Sequence, residues 1–175
     1  MEHPIDHAKI SKNALSVVYR LNKEGFEAYL VGGCIRDLLS KSVPKDFDIS
    51  TNAHPQDIRK IFRNSRIVGK RFQIVHVRFE REIIEVSTFR KQDPEVSENQ
   101  SDSGMILRDN AFGSLEEDSL RRDFGVNAIY YNPLSKELID LQGGIEDISR
   151  KLLRSIGPVD LRLREDPVRM LRAIR

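Results

Sequence analysis

A short apolar segment, Phe26 to Val31, runs straight into Gly32-Gly33, and Cys34 to Leu39 reads as a helix opening directly behind them. Strand, glycine turn and helix in immediate succession fix how the chain must leave a sheet. Glycine allows backbone angles closed to other residues, and a helix start presents unpaired N–H groups that can hold phosphate. Arg36, one turn into the helix, adds a cation there. Asp46 follows Gly33 by 13 positions, within Lys45-Asp46-Phe47-Asp48-Ile49. Placed on a strand over Asp46 to Ser50, Asp46 and Asp48 share one face while Phe47 and Ile49 enter the core. Adjacent carboxylates repel unless a cation lies between them, and Mg²⁺ takes one or two carboxylates plus substrate phosphates. The bland alternative is a pair of exposed loop aspartates.

The rest of the pattern is α+β. Apolar spacing predicts helices over 11–24, 55–63, about 115–131, about 143–149 and from about 159 onward. Strands are expected at Gln73 to Phe79 and Glu82 to Phe89, joined near Glu80-Arg81, and again around 137–141 and 151–155. Glu85 shares a strand face with Ile83, Ser87 and Phe89, where a carboxylate is costly unless paired or metal-bound; an edge strand facing solvent is the alternative. Residues 91–104 offer almost nothing to bury and are expected to form a mobile loop. Val168, Leu171 and Ile174 make an apolar stripe with nothing after Arg175 to cover it. The expectation is therefore a head over 1–150, the start of a helical neck over 151–175, and a further helical RNA-binding region beyond.

Composition narrows the class. Of 175 residues 39% are hydrophobic, yet no run approaches the ~20 apolar residues of a spanning helix. The single Cys34 excludes a disulfide framework, and with no signal-like N-terminus the expected location is the cytoplasm. Net charge is only +2, but residues 55–90 carry nine Lys or Arg against four acids, and residues 91–118 reverse this with two against eight. Such segregation suits a local polyanion footprint, or equally a solvated mixed-charge surface.

The motifs Leu30–Leu39 (LVGGCIRDLL) and Lys45–Asp48 (KDFD) resemble the head of the class II nucleotidyltransferases of the polymerase-β superfamily, which comprise bacterial poly(A) polymerases and tRNA CCA-adding enzymes. The similarity continues through Glu85–Arg90 (EVSTFR), Glu116–Ala128 (EEDSLRRDFGVNA) and Arg164–Ala173 (REDPVRMLRA). It implies a mixed sheet flanked by helices, followed by the start of an all-α neck. It also implies Asp46, Asp48 and Glu85 as metal-binding catalytic carboxylates for two Mg²⁺ ions, roughly 4 Å apart in a two-metal scheme, with ATP as substrate. Gly32, Gly33 and Arg36 correspond to triphosphate positions, and Arg122, Asp123 and Asn127 to nucleotide-contacting ones. In Glu165, Asp166 and Arg169 the resemblance implies that Asp and Arg read the base edge while Glu steadies the Arg. On one continuous helix the three share a side; the alternative is an ordinary surface salt bridge. The family usually has Thr where this chain has Gly125, a change expected to loosen a hinge beside the nucleotide.

Ile67–Val77 (IVGKRFQIVHV), Leu107–Asn110 (LRDN) and Phe112–Asp118 (FGSLEED) resemble the poly(A) polymerase form of the family. Lys70, Arg71 and His76 would then meet RNA phosphates; an exposed turn and a half-buried strand histidine is the plainer alternative. The implied activity is template-independent addition of AMP from ATP to an RNA 3′ end. Addition of CCA or A to tRNA, and a non-catalytic nucleotide- or RNA-binding module, are the alternatives.

Overall fold

The computed structural model describes residues 4–69, 72–91 and 111–174. Helix α1 (Lys12–Lys23) opens where the Ser11 hydroxyl accepts hydrogen bonds from the Asn13 and Ala14 amides, and it buries Ala14, Val17, Val18 and Leu21 at helical spacing. Each such Val or Leu contributes about 1.5–3 kcal/mol relative to exposure. Strand β1 (Ala28–Val31) leads through Gly32 into α2 (Gly33–Leu39); β2 (Asp48–Thr51), α3 (Pro55–Ile61), β3 (Ser65–Val68), β4 (Ile74–Arg78) and β5 (Ile83–Thr88) follow. After α4 (Leu115–Arg121) come β6 (Ile129–Asn132), β7 (Glu137–Asp140), α5 (Gly144–Arg150), α6 (Val159–Glu165) and α7 (Val168–Ile174).

Among the described residues the strands form one seven-stranded mixed sheet in the order β3-β4-β5-β2-β1-β6-β7. Its β2–β5 pair is parallel, and its other pairs are antiparallel. Period-two alternation gives the sheet two different faces. Leu30, Ile49, Ile84, Val86 and Ile129 pack with α1, α2 and α3 in the main core. The opposite face carries Asp48, Ser50, Glu85 and Ser87, flanked by a smaller cluster of Val31, Phe89, Leu115 and Tyr130. The α+β class and the mixed, helix-flanked sheet are as expected. No helix among the described residues is long and apolar enough to cross a membrane.

Several sequence expectations need correction. Asp46 precedes β2 rather than sharing it with Asp48. The strand β3 was not expected at all. The helix expected over 115–131 ends at Arg121; a 3-10 turn, Gly125–Asn127, and then β6 take its place. Ile129, Tyr130 and Tyr131 suit a pleated surface better than a helix, and β6 completes the hydrogen bonding of β1. No strand forms over 151–155; that segment makes an isolated bridge from Ser155 to Phe124. The final helix is two helices, because Pro167 lacks an N–H and drives the preceding residue out of the α region. Asp166 accordingly lies at φ −147°, ψ 91°. The loop expected over 91–104 lies outside the described residues except for Lys91.

Candidate active site

Gly32 has φ +83° and ψ −142°, a backbone conformation essentially restricted to glycine, and it ends β1 by turning the chain into α2. The backbone angle rather than crowding requires glycine here, since a Cβ on Gly32 would make ordinary van der Waals contact with Asp48 Oδ2 at 3.5 Å and Arg122 Nη1 at 3.9 Å. The glycine turn, Asp48 and Arg122 thus meet at one point. Asp48 stands opposite Val31 across β1–β2 and opposite Glu85 across the parallel β2–β5 pair. His76, on β4, faces Glu85 with Nε2 3.4 Å from Oε1. Asp46 is exposed beyond the strand end, yet its charge still acts on Asp48.

The Asp48 carboxyl is pushed up to about 6, by burial first and then by the neighbouring charges of Glu85 and Asp46, with Arg122 opposing. Like charges gathered beside a glycine turn create a deficit that a hard divalent cation would fill. Among the described residues no group of three His, Cys, Asp or Glu side chains is already arranged around a metal position. The donor chemistry of Asp48, Glu85 and Asp46 fits Mg²⁺, with substrate oxygens completing its shell.

Beneath Asp48 lies a polar cluster around Arg122 whose other members, Asp118, Tyr130 and Ser50, were assigned no role from the motifs. Arg122 donates through Nε and Nη2 to Asp118 Oδ2 (3.2 and 3.0 Å), through Nε to the Tyr130 hydroxyl (2.9 Å) and through Nη2 to Ser50 Oγ (2.8 Å). Tyr130 donates in turn to Asp118 Oδ2 at 2.7 Å. Burial opposes the Arg122 charge, but Asp118 and Tyr130 outweigh it and hold the guanidinium protonated. The i, i+4 spacing of Asp118 and Arg122 was the available signal for their pairing.

A second chain of contacts links the remaining positions. Arg36 pairs with Asp37 and donates to Asn127 Oδ1 at 2.9 Å; Asn127 donates to Asp123 Oδ1 at 3.2 Å. A cavity of about 300 Å³ is lined by Ser87, Arg122, Asp123, Asp166, Arg169 and Arg172, among others. Arg169 is buried, donating through Nη2 to the Arg121 carbonyl while its Nε and Nη1 find no hydrogen-bond partner among the described residues. Burial and the charges of Arg90, Arg122, Arg162 and Arg169 press Arg121 down to about 9. Such a crowd of guanidinium groups favours an anionic occupant.

Glu165 forms its ion pair with Arg162 at 2.8 Å, and its charge also acts on Arg169. Arg162 further donates to the carbonyls of Leu120 and Arg122, docking α6 onto the end of α4. The three residues of the EDxxR pattern therefore do not share one helix: Glu165 ends α6, Asp166 caps it and Arg169 is on α7. Lys70 and Arg71 lie outside the described residues.

Gly125 is buried and closely enclosed, where the expectation was of a loosened hinge. Its amide donates to the Arg154 carbonyl at 3.1 Å, and a Cβ there would lie 2.6 Å from Oδ2 of the buried Asp147, which pairs with Arg154. Gly125→Ala is expected to destabilise the protein by about 1–3 kcal/mol through overpacking, read as a lower midpoint in urea unfolding. An unchanged midpoint would show that Asp147 gives way freely.

Residues 28–154 match the family described as Poly A polymerase head domain. The chain is 52% identical to Poly(A) polymerase I of Salmonella typhi over 99% of its length, and 40% identical to the CCA-adding enzyme of Geobacillus thermodenitrificans over 94%. It spans only 38% and 39% of those two relatives. The solved structure of the Bacillus stearothermophilus CCA-adding enzyme in complex with CTP superimposes with a TM-score of 0.73 at 35% identity, covering 99% of this chain and 39% of that one.

Proposed function

The chain belongs to the poly A polymerase head-domain family, and from that premise we propose that it is the catalytic head of an enzyme adding AMP from ATP to RNA 3′ ends. The observation that carries this reading is the convergence of the Gly32 turn, Asp48, Glu85 and Arg122 on one face of the sheet. The RNA 3′-hydroxyl gives up its proton to solvent as its oxygen bonds to the α-phosphorus of ATP, the bond from that phosphorus to the β-phosphate oxygen breaks, and pyrophosphate leaves with the electron pair. Asp48 and Glu85, with Asp46, would hold Mg²⁺, which supplies a lowered hydroxyl pKa and neutralises charge on the leaving group. The protein's own contribution is placement. The Gly32-Gly33 turn admits the triphosphate close to the backbone, and Arg36 and Arg122 face its charge. Asp166 and Arg169 address the base edge, with Asp123 and Asn127 on the ribose side. Lys70, Arg71 and His76 are assigned to the RNA strand, and residues 151–175 to the start of a helical neck.

Two further points belong to this reading. The enzyme works on RNA in the cytoplasm, where Cys34, buried against β1, stays reduced. Similarity to CCA-adding enzymes at 40% identity keeps tRNA 3′-end synthesis as the second reading. Incubation of the full-length protein with Mg²⁺ and either a generic RNA or a tRNA lacking its CCA end, with ATP and CTP supplied separately, decides between them. Extension of both RNAs by ATP alone is expected. Incorporation of CTP would overturn polyadenylation in favour of the second reading, and binding of ATP without product would leave only a non-catalytic module.

A further inference from the structure

Arg172 belongs to none of the positions discussed above as reading the nucleotide, yet it joins two of them. Its Nε donates to Asp123 Oδ2 at 2.7 Å and its Nη2 donates to Asp166 Oδ2 at 3.0 Å. These carboxylates come from different parts of the chain, Asp123 just past α4 and Asp166 at the break before α7. Both are largely buried, and all three side chains line the same cavity. Asp123 is anchored independently: its Oδ1 accepts from the Phe124 amide at 2.8 Å and from Asn127 Nδ2. A guanidinium is a flat, rigid fork whose nitrogen atoms lie at fixed separation, so two bonds from two of them fix how the two carboxylates stand relative to each other.

We propose that Arg172 is a positioning residue for nucleotide choice, setting the orientation of the Asp166 carboxylate against the fixed Asp123. The proposal rests on the nucleotide site assigned above. Adenine and cytosine both offer an exocyclic amino donor beside a ring-nitrogen acceptor, but on rings of different size, so a carboxylate tells them apart by where that amino group falls, and only if it is held in one orientation. Loss of the fork therefore acts on the choice between nucleotides more than on the chemical step. Lysine keeps the positive charge and can donate to both carboxylates, but from a single nitrogen on a flexible stem, without the fixed spacing of the guanidinium donors. Arg172→Lys thus separates fork geometry from charge.

The test compares wild type, Arg172→Lys and Arg172→Ala in the full-length protein, with thermal midpoints recorded in parallel. For both variants KM for ATP is expected to rise about tenfold and the preference for ATP over CTP in kcat/KM to fall about tenfold, with kcat changed by less than about threefold. Equal losses for ATP and CTP, tracking a lower midpoint, would reduce Arg172 to a structural strut and overturn the proposal. So would a wild-type preference retained by Arg172→Lys. Calorimetric binding of ATP and CTP reads the same preference without turnover. A wild type that binds ATP selectively but extends no RNA would therefore defeat the polymerase reading and still decide the role of Arg172.

Discussion

Asp48→Asn is expected to lose RNA extension by about 10³-fold or more while making the protein more stable above neutral pH. The two effects have one origin. Asp48 is surrounded by what resists its ionisation: burial, Glu85 and Asp46, with Arg122 only partly compensating, so its carboxyl is raised to about 6. A folded-state value above the unfolded one means no penalty below the ordinary carboxylate range, where both states hold the proton. As pH rises through about 6 the folded protein must ionise against that resistance and stability is lost. Asn carries no such titration. In buffer without divalent cations the thermal midpoint of Asp48→Asn should match wild type near about pH 4 and exceed it by a few degrees near about pH 8. Asp48 is nonetheless an exposed residue at the start of β2, so water screens its carboxyl and the gain is smaller than the raised carboxyl alone suggests. A gap that failed to widen between those two pH values would contradict the like-charge crowding. An active Asp48→Asn enzyme would remove Asp48 from the chemistry.

Arg122→Met is expected to cost about 3–5 kcal/mol and to abolish activity, the largest stability effect foreseen for a single side chain here. Arg122 is the cation that satisfies the buried Asp118, and it also reaches Tyr130 and Ser50. Removing it leaves a carboxylate at 5% exposure whose remaining hydrogen bonds among the described residues come from the Tyr130 hydroxyl and the Arg90 amide. Combining Arg122→Met with Asp118→Leu removes both charges and should recover a substantial part of the stability. Denaturant unfolding of the two single variants and the double variant measures the coupling. Purely additive losses would mean that the ion pair is not what stabilises this part of the sheet. The double variant is expected to remain inactive, since the Arg122 guanidinium adjoins the Gly32 turn.

The parts of this molecule legible in its sequence were those governed by local rules. The strand, Gly-Gly turn and α2 followed from apolar runs and the punctuation between them, and the β4–β5 hairpin from β-branched alternation about a polar turn. The motifs likewise led to Asp48, Glu85, Arg122 and Asp123, which the fold brings to one face or its rim. What escaped depended on partners distant in sequence. Strand β6 is extended because β1 offers it an open edge, information absent from Val126-Asn127-Ala128-Ile129 read alone, where the apolar spacing mimics a helix. Asp46 falls off the strand because β2 begins only where Asp48 finds Val31. Pro167 was visible and should have divided the last helix. Arg172 could not have been singled out, since its meaning lies in two carboxylates, one of them 49 positions away.

The parallel pairing of β2 with β5 bears on how the protein comes to exist. Between these strands the chain must complete α3, β3 and β4, and β5 reaches its place beside Asp48 only after that excursion closes. Local pieces such as the β4–β5 hairpin form early, whereas this long-range pairing is slow. Until it forms, Asp48 and Glu85 are not neighbours, so the concentration of like charge around Asp48 arises late, together with the tertiary structure that surrounds it. An unfinished copy emerging from the ribosome thus lacks the neighbouring Asp48 and Glu85 carboxylates of the proposed metal site.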